Sequence, residues 1–269
     1  VKIQPLSIDK NEMNHFYLIH IQYLGFRYHG WQKQPKFKTV HFMVDKTIEF
    51  ILKDQPFKTH GSSRTDAKVS ANHSAFELFL NEPIDLDWFQ AEMNDNLPGD
   101  IRILKMEEVD KYFNIIKTPR LKEYLYLFAC GEKPHPFSAA LVMHFKENLD
   151  IELMKEGALL FQGKHNFINY CSKPAENTEF NREILVSKIE ENTLFTANFF
   201  PEKSYLLHLH SKGFMRYQAR LIMAQLIRLG KHEIDLDYIR MTLRGDVFDP
   251  VNQIAPSSGL LLNAVKFDL

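Results

Sequence analysis

The sequence predicts an α+β fold built from two subdomains with largely antiparallel sheets, with a cleft between them lined by the ends of strands. Three observations carry that expectation. Segments that alternate apolar and polar residues recur along most of the chain, the signature of half-buried strands. Stretches with helical spacing fall between them, but without the regular strand–helix–strand repeat of a doubly wound fold. Three strand-like runs at 182–190, 194–200 and 205–211, joined by short polar turns such as Glu191-Asn192, read as an antiparallel meander.

The elements follow in order. Residues 15–24 alternate and are rich in aromatic and β-branched side chains, a strand, and 25–30 make a loop that ends at Trp31. Over 40–53 the residues Val40, Val44, Ile48 and Ile51 recur at helical spacing, behind Thr39 as N-cap. Residues 73–80 alternate again. Asp85 or Asp87 caps a helix that stops near Leu97-Pro98-Gly99, and 101–109 form a strand. Beyond it, 123–130 read as a strand and 151–162 as an amphipathic helix closed by Gly163. After the meander, helices are expected over 216–229, ended by Gly230, and near 234–243, before a last strand at 260–267. This divides the chain into an extension (1–14), a first subdomain (15–111) and a second (112–269).

Composition narrows the class. The chain has 269 residues, of which 45% are hydrophobic and 25% charged, as in ordinary globular proteins. No apolar run approaches the length of a membrane-spanning helix, and Val1-Lys2-Ile3-Gln4-Pro5 does not read as a secretory signal. The two cysteines, Cys130 and Cys171, stand far apart without Cys-x-x-Cys spacing, so free thiols, a cytoplasmic setting and no zinc site are expected. His208 and His210 share one strand face like a metal pair, but no third ligand stands out.

The net charge of -1 hides a segregated distribution. No acid occurs between Met13 and Val44, where Arg27, Lys33, Lys36 and Lys38 lie. None occurs between Lys203 and His232, which hold Lys212, Arg216, Arg220 and Arg228. One face can thus neutralise phosphates while the rest keeps the protein soluble.

One short run, Gly61-Ser62-Ser63-Arg64-Thr65-Asp66-Ala67-Lys68-Val69-Ser70-Ala71, sets a carboxylate among small neighbours, after an arginine and before a strand. On a tight turn at the mouth of a sheet such a carboxylate can reach a substrate. Alone, Arg-Thr-Asp is a short pattern that recurs by chance, ordinarily as a solvated turn.

Other segments give it company. Tyr23-Leu24-Gly25-Phe26-Arg27-Tyr28-His29-Gly30-Trp31-Gln32-Lys33-Gln34, the Asp66 run, Asn94-Asp95-Asn96-Leu97-Pro98-Gly99-Asp100-Ile101, Lys122-Glu123-Tyr124-Leu125-Tyr126 with Pro136-Phe137, and Gly213-Phe214-Met215-Arg216-Tyr217-Gln218-Ala219-Arg220 succeed one another along the chain. Gly163-Lys164-His165-Asn166-Phe167 and Ala255-Pro256-Ser257-Ser258-Gly259-Leu260-Leu261-Leu262 add two more. In this order and over nearly the full length, the chain resembles the TruA-like tRNA pseudouridine synthases.

The resemblance implies a continuous mixed sheet around a central RNA-binding cleft and an isomerase that converts uridine to pseudouridine in the tRNA anticodon stem-loop. It implies no cofactor, no metal, and a homodimer that clasps tRNA. Asp66 would be the nucleophile, attacking either the uracil ring or the sugar C1′, with Arg220 opposing the pKa rise that desolvation brings. Tyr124 would stack on the uracil and relay a proton, since C5 must lose one as the glycosidic bond moves there. Tyr126 is expected in the core. A base within a stem must be rotated out of the stack, and Arg64 beside the nucleophile would fill the space it leaves. Thr65 completes the Asp66 loop, and one of Leu260, Leu261 and Leu262 on a strand edge, with Leu262 the choice, is expected to pack against the uracil. Arg27, Lys33, Lys36, Lys38, Lys212 and Arg216 are candidates for phosphate contacts, and Trp31 is either a base-stacking ring or a loop anchor. Four positions depart from the family pattern. Lys68 stands where glycine is usual, Ser70 where histidine is common, Ser63 where glycine is frequent, and Leu24 where aspartate usually follows the first tyrosine. Three rival readings are a non-catalytic RNA-binding protein on the same fold, which Lys68 alone favours, a pseudouridine synthase with a different RNA target, and a carboxylate glycosidase, which would need a second acid.

Overall fold

In a computed structural model, residues 13–267 are described. Except for Met13 and Asn14, the extension expected over 1–14 lies outside the described residues. The first half runs β1 (His15–Tyr23), α1 (Val40–Leu52), β2 (Phe57–Gly61), β3 (Ser70–Leu80), α2 (Leu86–Asn96) and β4 (Ile101–Glu108). The second runs β5 (Pro119–Cys130), β6 (Met143–Phe145), α3 (Ile151–Leu160), β7 (Gly163–Asn166), β8 (Asn181–Ile184), β9 (Val186–Glu191), β10 (Tyr205–Ser211), α4 (Gln218–Gly230), α5 (Leu236–Arg244) and β11 (Leu260–Phe267).

The helices start where a short polar side chain meets free N–H groups. Thr39 accepts from the Phe42 amide, Asp85 from Trp88, Asp150 from Leu153 and Asp235 from Tyr238. Of the two aspartates considered for α2, Asp85 is the cap and Asp87 sits in the first turn. The helix α4 is the exception. It begins at Gln218, two residues later than its spacing predicts, behind Tyr217 in a left-handed conformation (φ 62°) with no side-chain cap.

Nine strands form one mixed sheet, in which β4-β1-β3-β11-β5-β10-β9 lie side by side, with β2 also on β3 and β6 also on β5; β7 and β8 form a separate hairpin. The sheet continues across both halves of the chain because β11 returns to its centre. It pairs parallel with β3 (Leu261 opposite Ser70) and antiparallel with β5 (Leu262 opposite Tyr124).

Alternation assigns the two faces. Tyr17, Ile19 and Ile21 of β1, with Phe76, Leu78 and Leu262, pack under α1 and α2. Tyr126, Phe128, Leu207 and Leu209 pack under α3, α4 and α5. The intervening residues Leu125, Leu127 and Leu206 face the other way and meet Val142, Phe195 and Phe200, while Leu18 and Ala75 meet Ile115. One face therefore carries helices, and irregular segments cover the other.

That covering explains where the meander expectation fails. Residues 194–200 are not a strand. The Asn192 side chain holds the start of the segment as a loop, accepting from the Phe195 amide at 3.0 Å and donating to the Phe195 carbonyl at 2.8 Å. Phe195 and Phe200 then cover the sheet instead of joining it. The strand expected over 182–190 is broken at Leu185 into β8 and β9, which belong to different sheets. Strands β2, β6 and β7 were not anticipated, being five, three and four residues long. Such short runs carry too few alternations to be distinctive.

Candidate active site

The Asp66 loop leaves the sheet at a fork. Along one edge β3 pairs with β1 over nearly its whole length. Along the other it pairs first with β11, at Ser70 and Ala71, and then with β2, from Phe76 to Leu80. Between those two partners the chain is free to leave the ladder, and residues 62–69 emerge there. The Ser62 amide still donates to the Ala75 carbonyl at 2.9 Å, which pins the start of the loop.

The Gly25–Trp31 segment is the bed on which the loop lies. A methyl group on Gly30 would stand 2.4 Å from the Thr65 carbonyl oxygen and 3.0 Å from the carbonyl carbon of Asp66, and its φ is +83°. Only glycine allows both the conformation and the approach. A methyl group on Gly25 would stand closer still, 1.9 Å from the Val69 carbonyl oxygen. The Trp31 amide donates to Thr65 O (3.1 Å), the Lys68 amide to Tyr28 O (2.9 Å), and the Gly25 amide to Ser70 Oγ (2.9 Å). Thr65 itself is buried, with its hydroxyl 2.8 Å from Tyr23 Oη. Lys68 takes the positive φ (68°) that its non-glycine identity makes costly, so the loop keeps its turn and bears the strain.

Opposite the loop, α4 brings in Arg220. Its Nη1 donates to Asp66 Oδ2 at 3.0 Å across 154 positions of sequence, and its Nε to the Ala255 carbonyl at 2.7 Å; the guanidinium also lies over the Tyr217 ring, 5.1 Å from the centroid. Arg220 sits in the first turn of α4, where the helix dipole disfavours a cation. The Asp66 carboxylate offsets this. Burial raises the Asp66 pKa, and the hydrogen bond and charge of Arg220, then the charge of Arg216, oppose the rise without cancelling it.

Tyr124 projects from β5 beside this pair, its ring edge-on to Phe214 with centroids 5.1 Å apart. Burial, with the neighbouring Tyr23 and Asp66, raises the phenol pKa and keeps it protonated at neutral pH. Tyr126, two residues on, is fully buried and donates to the Pro256 carbonyl at 2.6 Å. Asp66, Tyr124, Arg220, Arg64, Thr65 and Arg216 all line one pocket of about 770 Å³, with Lys122, Phe214, Tyr217 and Leu260. Arg64 and Arg216 are exposed at it.

Other expected site residues lie elsewhere. Leu262 is fully buried under α1 and α2, and the leucine that lines the pocket is Leu260, two residues earlier on the same face. Trp31 is 1% exposed, stacked on His41 with centroids 5.4 Å apart, so it anchors the loop and has no face for a base. Arg27 grips Asp100 through two nitrogens, and Lys33 pairs with Asp45. Lys212 is exposed outside the pocket lining. His208 pairs with Glu190 at 3.4 Å, and among the described residues no group of three or more His, Cys, Asp or Glu is placed to hold a metal ion. Lys122 was missed, although alternation from Tyr124 puts it on the pocket face, and of the three leucines 260–262 it is Leu260, not the favoured Leu262, that lines the pocket.

The molecule is thus an α+β protein whose mixed sheet presents an acid–guanidinium pair and a tyrosine inside one pocket. A family model described as tRNA pseudouridine synthase matches residues 158–268. A Clostridium perfringens protein named tRNA pseudouridine synthase A 2 is 30% identical over 248 residues, covering 92% of this chain and 97% of its own. A tRNA pseudouridine synthase A of Thermodesulfovibrio yellowstonii is 28% identical over 253 residues, covering 92% of this chain and 97% of its own. The chain belongs to the tRNA pseudouridine synthase A family, a family of isomerases.

Proposed function

We propose that the protein isomerises uridine to pseudouridine in the anticodon stem-loop of tRNA, with Asp66 as the nucleophile. The observation that carries the reading is the Asp66–Arg220 pair at 3.0 Å, joined across 154 residues inside a pocket that Tyr124 also lines. Burying two charges is costly, and a pair whose acid is still pushed above its ordinary pKa is a poor stabiliser. It is a good arrangement for a carboxylate that must attack in a water-poor site. Attack by Asp66 on the uracil ring or on C1′ frees the base from its original bond. Rotation of the base then presents C5 to C1′, and the new carbon–carbon bond forms. The bond to Asp66 breaks to return the carboxylate, C5 gives up its proton, and N1, whose bond to C1′ has broken, takes one up.

In this reading Tyr124 lays its ring on the uracil and its hydroxyl relays the C5 proton. Arg220 keeps the carboxylate ionised and aimed. Arg64, exposed at the mouth, fills the space of the extruded nucleotide, and Leu260 takes the uracil-packing place expected of Leu262. Arg216 serves the phosphates; Arg27 and Lys33, each tied to a carboxylate, contribute less. A homodimer that clasps one tRNA completes the proposal. Lys68, the one residue that favoured a non-catalytic protein, adopts the backbone conformation a glycine would take there and leaves the loop intact.

The test is to incubate the protein with a uridine-containing tRNA, map pseudouridine, and run Asp66→Ala beside it. The parent should form product and the variant none, while tRNA binding is largely kept. Equal product from both would overturn the assignment of Asp66.

A further inference from the structure

The pocket wall contains a cation that the reaction above does not use. Lys122 lies on β5, two residues before Tyr124 and on the same face, so both side chains enter the same pocket. Its ammonium donates to one protein acceptor, the Ser62 carbonyl at 2.8 Å. Burial, with no carboxylate to offset it, lowers its pKa to about 8. An ammonium has three N–H donors, and a partly buried one without an anion is poorly accommodated.

The serines beneath it are also incomplete. Ser62 and Ser63 line the same pocket, are 6% and 7% exposed, and their hydroxyls have no partner. His41 Nδ1, unpartnered as well, belongs to a third residue of that lining, at 5% exposure. Five buried side-chain atoms lack a partner among the described residues, and three of them belong to this one wall. An unsatisfied buried polar group costs about 1–3 kcal/mol, so each of these calls for a partner.

We propose that Lys122 grips a backbone phosphate of the RNA strand next to the extruded uridine, and that the Ser62 and Ser63 side chains, whose hydroxyls are closed off in the free protein, turn to meet it. The proposal rests on the reading that this pocket receives an RNA nucleotide. A phosphate supplies the negative charge that Lys122 lacks and the acceptor oxygens that the two hydroxyls lack. Because Lys122 is bonded to the first residue of the Asp66 loop, the same contact fixes the loop against β5 as the nucleotide enters. Lys122 is here a binding residue and takes no part in bond making.

The test measures affinity for a uridine-containing anticodon stem-loop RNA in an Asp66→Ala background, across a series of salt concentrations. The slope of log affinity against log salt should fall by about 0.7–0.9 in Lys122→Met, the loss of one phosphate contact, and stay at the parental value in Lys122→Arg. A neutral methylphosphonate placed in turn at each linkage around the target uridine should weaken binding at one position in the parent and not in Lys122→Met. Should Lys122→Met fail to fold, Ser63→Ala decides. It deletes a hydroxyl with no partner, so its thermal midpoint should not fall, while its RNA affinity drops several-fold. A parental salt slope in Lys122→Met, or unchanged affinity in a folded Ser63→Ala, overturns the proposal and leaves the assignment of Asp66 standing. Product from Asp66→Ala overturns that assignment and leaves the phosphate contact standing.

Discussion

Asp66 is poised by opposing forces of unequal size. Burial pushes its carboxyl above the ordinary aspartate range, and Arg220 and Arg216 pull it back only in part. A folded-state pKa that is raised means ionisation works against folding: the group's contribution is present below the ordinary range and lost as pH rises through the folded value. Ionised in the folded protein, Asp66 therefore lowers stability rather than adding to it. In a pH–rate profile, the acid limb should lie above that of an unperturbed aspartate. Arg220→Gln should move that limb to still higher pH and lower kcat about a hundredfold through misplacement of the carboxylate. A limb that stays in place would break the link between the two residues. Tyr124→Phe keeps the ring and removes the hydroxyl. If the hydroxyl relays the C5 proton, kcat should fall by about two orders of magnitude with KM nearly unchanged. That Asp66, Tyr124 and Arg220 meet in one pocket agrees with what the family resemblance implied, each lying in one of the motifs that carry it. Leu262 and Trp31 were assigned by position alone, and whether a side chain faces a pocket or a core is decided by the sheet around it.

At the scale of elements, the loop before α1 and the Asp66 loop act as one piece. Gly30→Ala would press a methyl group into Thr65 and Asp66 at a positive φ. It should cost about 1–3 kcal/mol and reduce activity beyond what the stability loss explains, read by chemical unfolding and a tRNA assay together. Gly99→Ala is the control. Nothing lies within 4 Å of its added carbon, and its stability should stay within about 0.5 kcal/mol of the parent. Asp235→Ala removes the cap of α5, far from the pocket, and should cost about 1 kcal/mol with activity unchanged. Two helix starts were readable, since α1 begins one residue after Thr39 and α2 follows the first of its two candidate caps, whereas the caps Asp150 and Asp235 were not singled out. The start of α4 was not readable, because Tyr217 provides no cap and signals the turn only through its backbone. Residues 194–200 have the composition of a strand, and what denies them that role is a pair of hydrogen bonds from a single asparagine side chain.

The whole molecule is organised by its one large sheet, with helices on one face and loops on the other. The sequence conveyed the α+β class and the presence of most long strands, yet not the order in which they lie, because strand order depends on contacts between residues far apart in the chain. β11 is the telling case. Its residues were read correctly as a strand, and nothing in them says that they belong between β3 and β5. Charge segregation is also a property of the whole. If the acid-free stretches meet RNA, affinity should fall steeply as salt rises, and more steeply than a protein with only the pocket contacts would show. A flat salt response would remove that role from them.

The position of β11 also bears on how the protein is made. During synthesis β3 and β5 emerge well before residues 260–267, so each waits with an open edge that only the last strand can close. A growing chain in that condition carries two templates for pairing with the wrong partner. Its central contacts are among the most distant in sequence, which makes folding slow. The same strand that joins the loop-bearing β3 to the tyrosine-bearing β5 therefore delays assembly of the pocket until residues 260–267 have emerged.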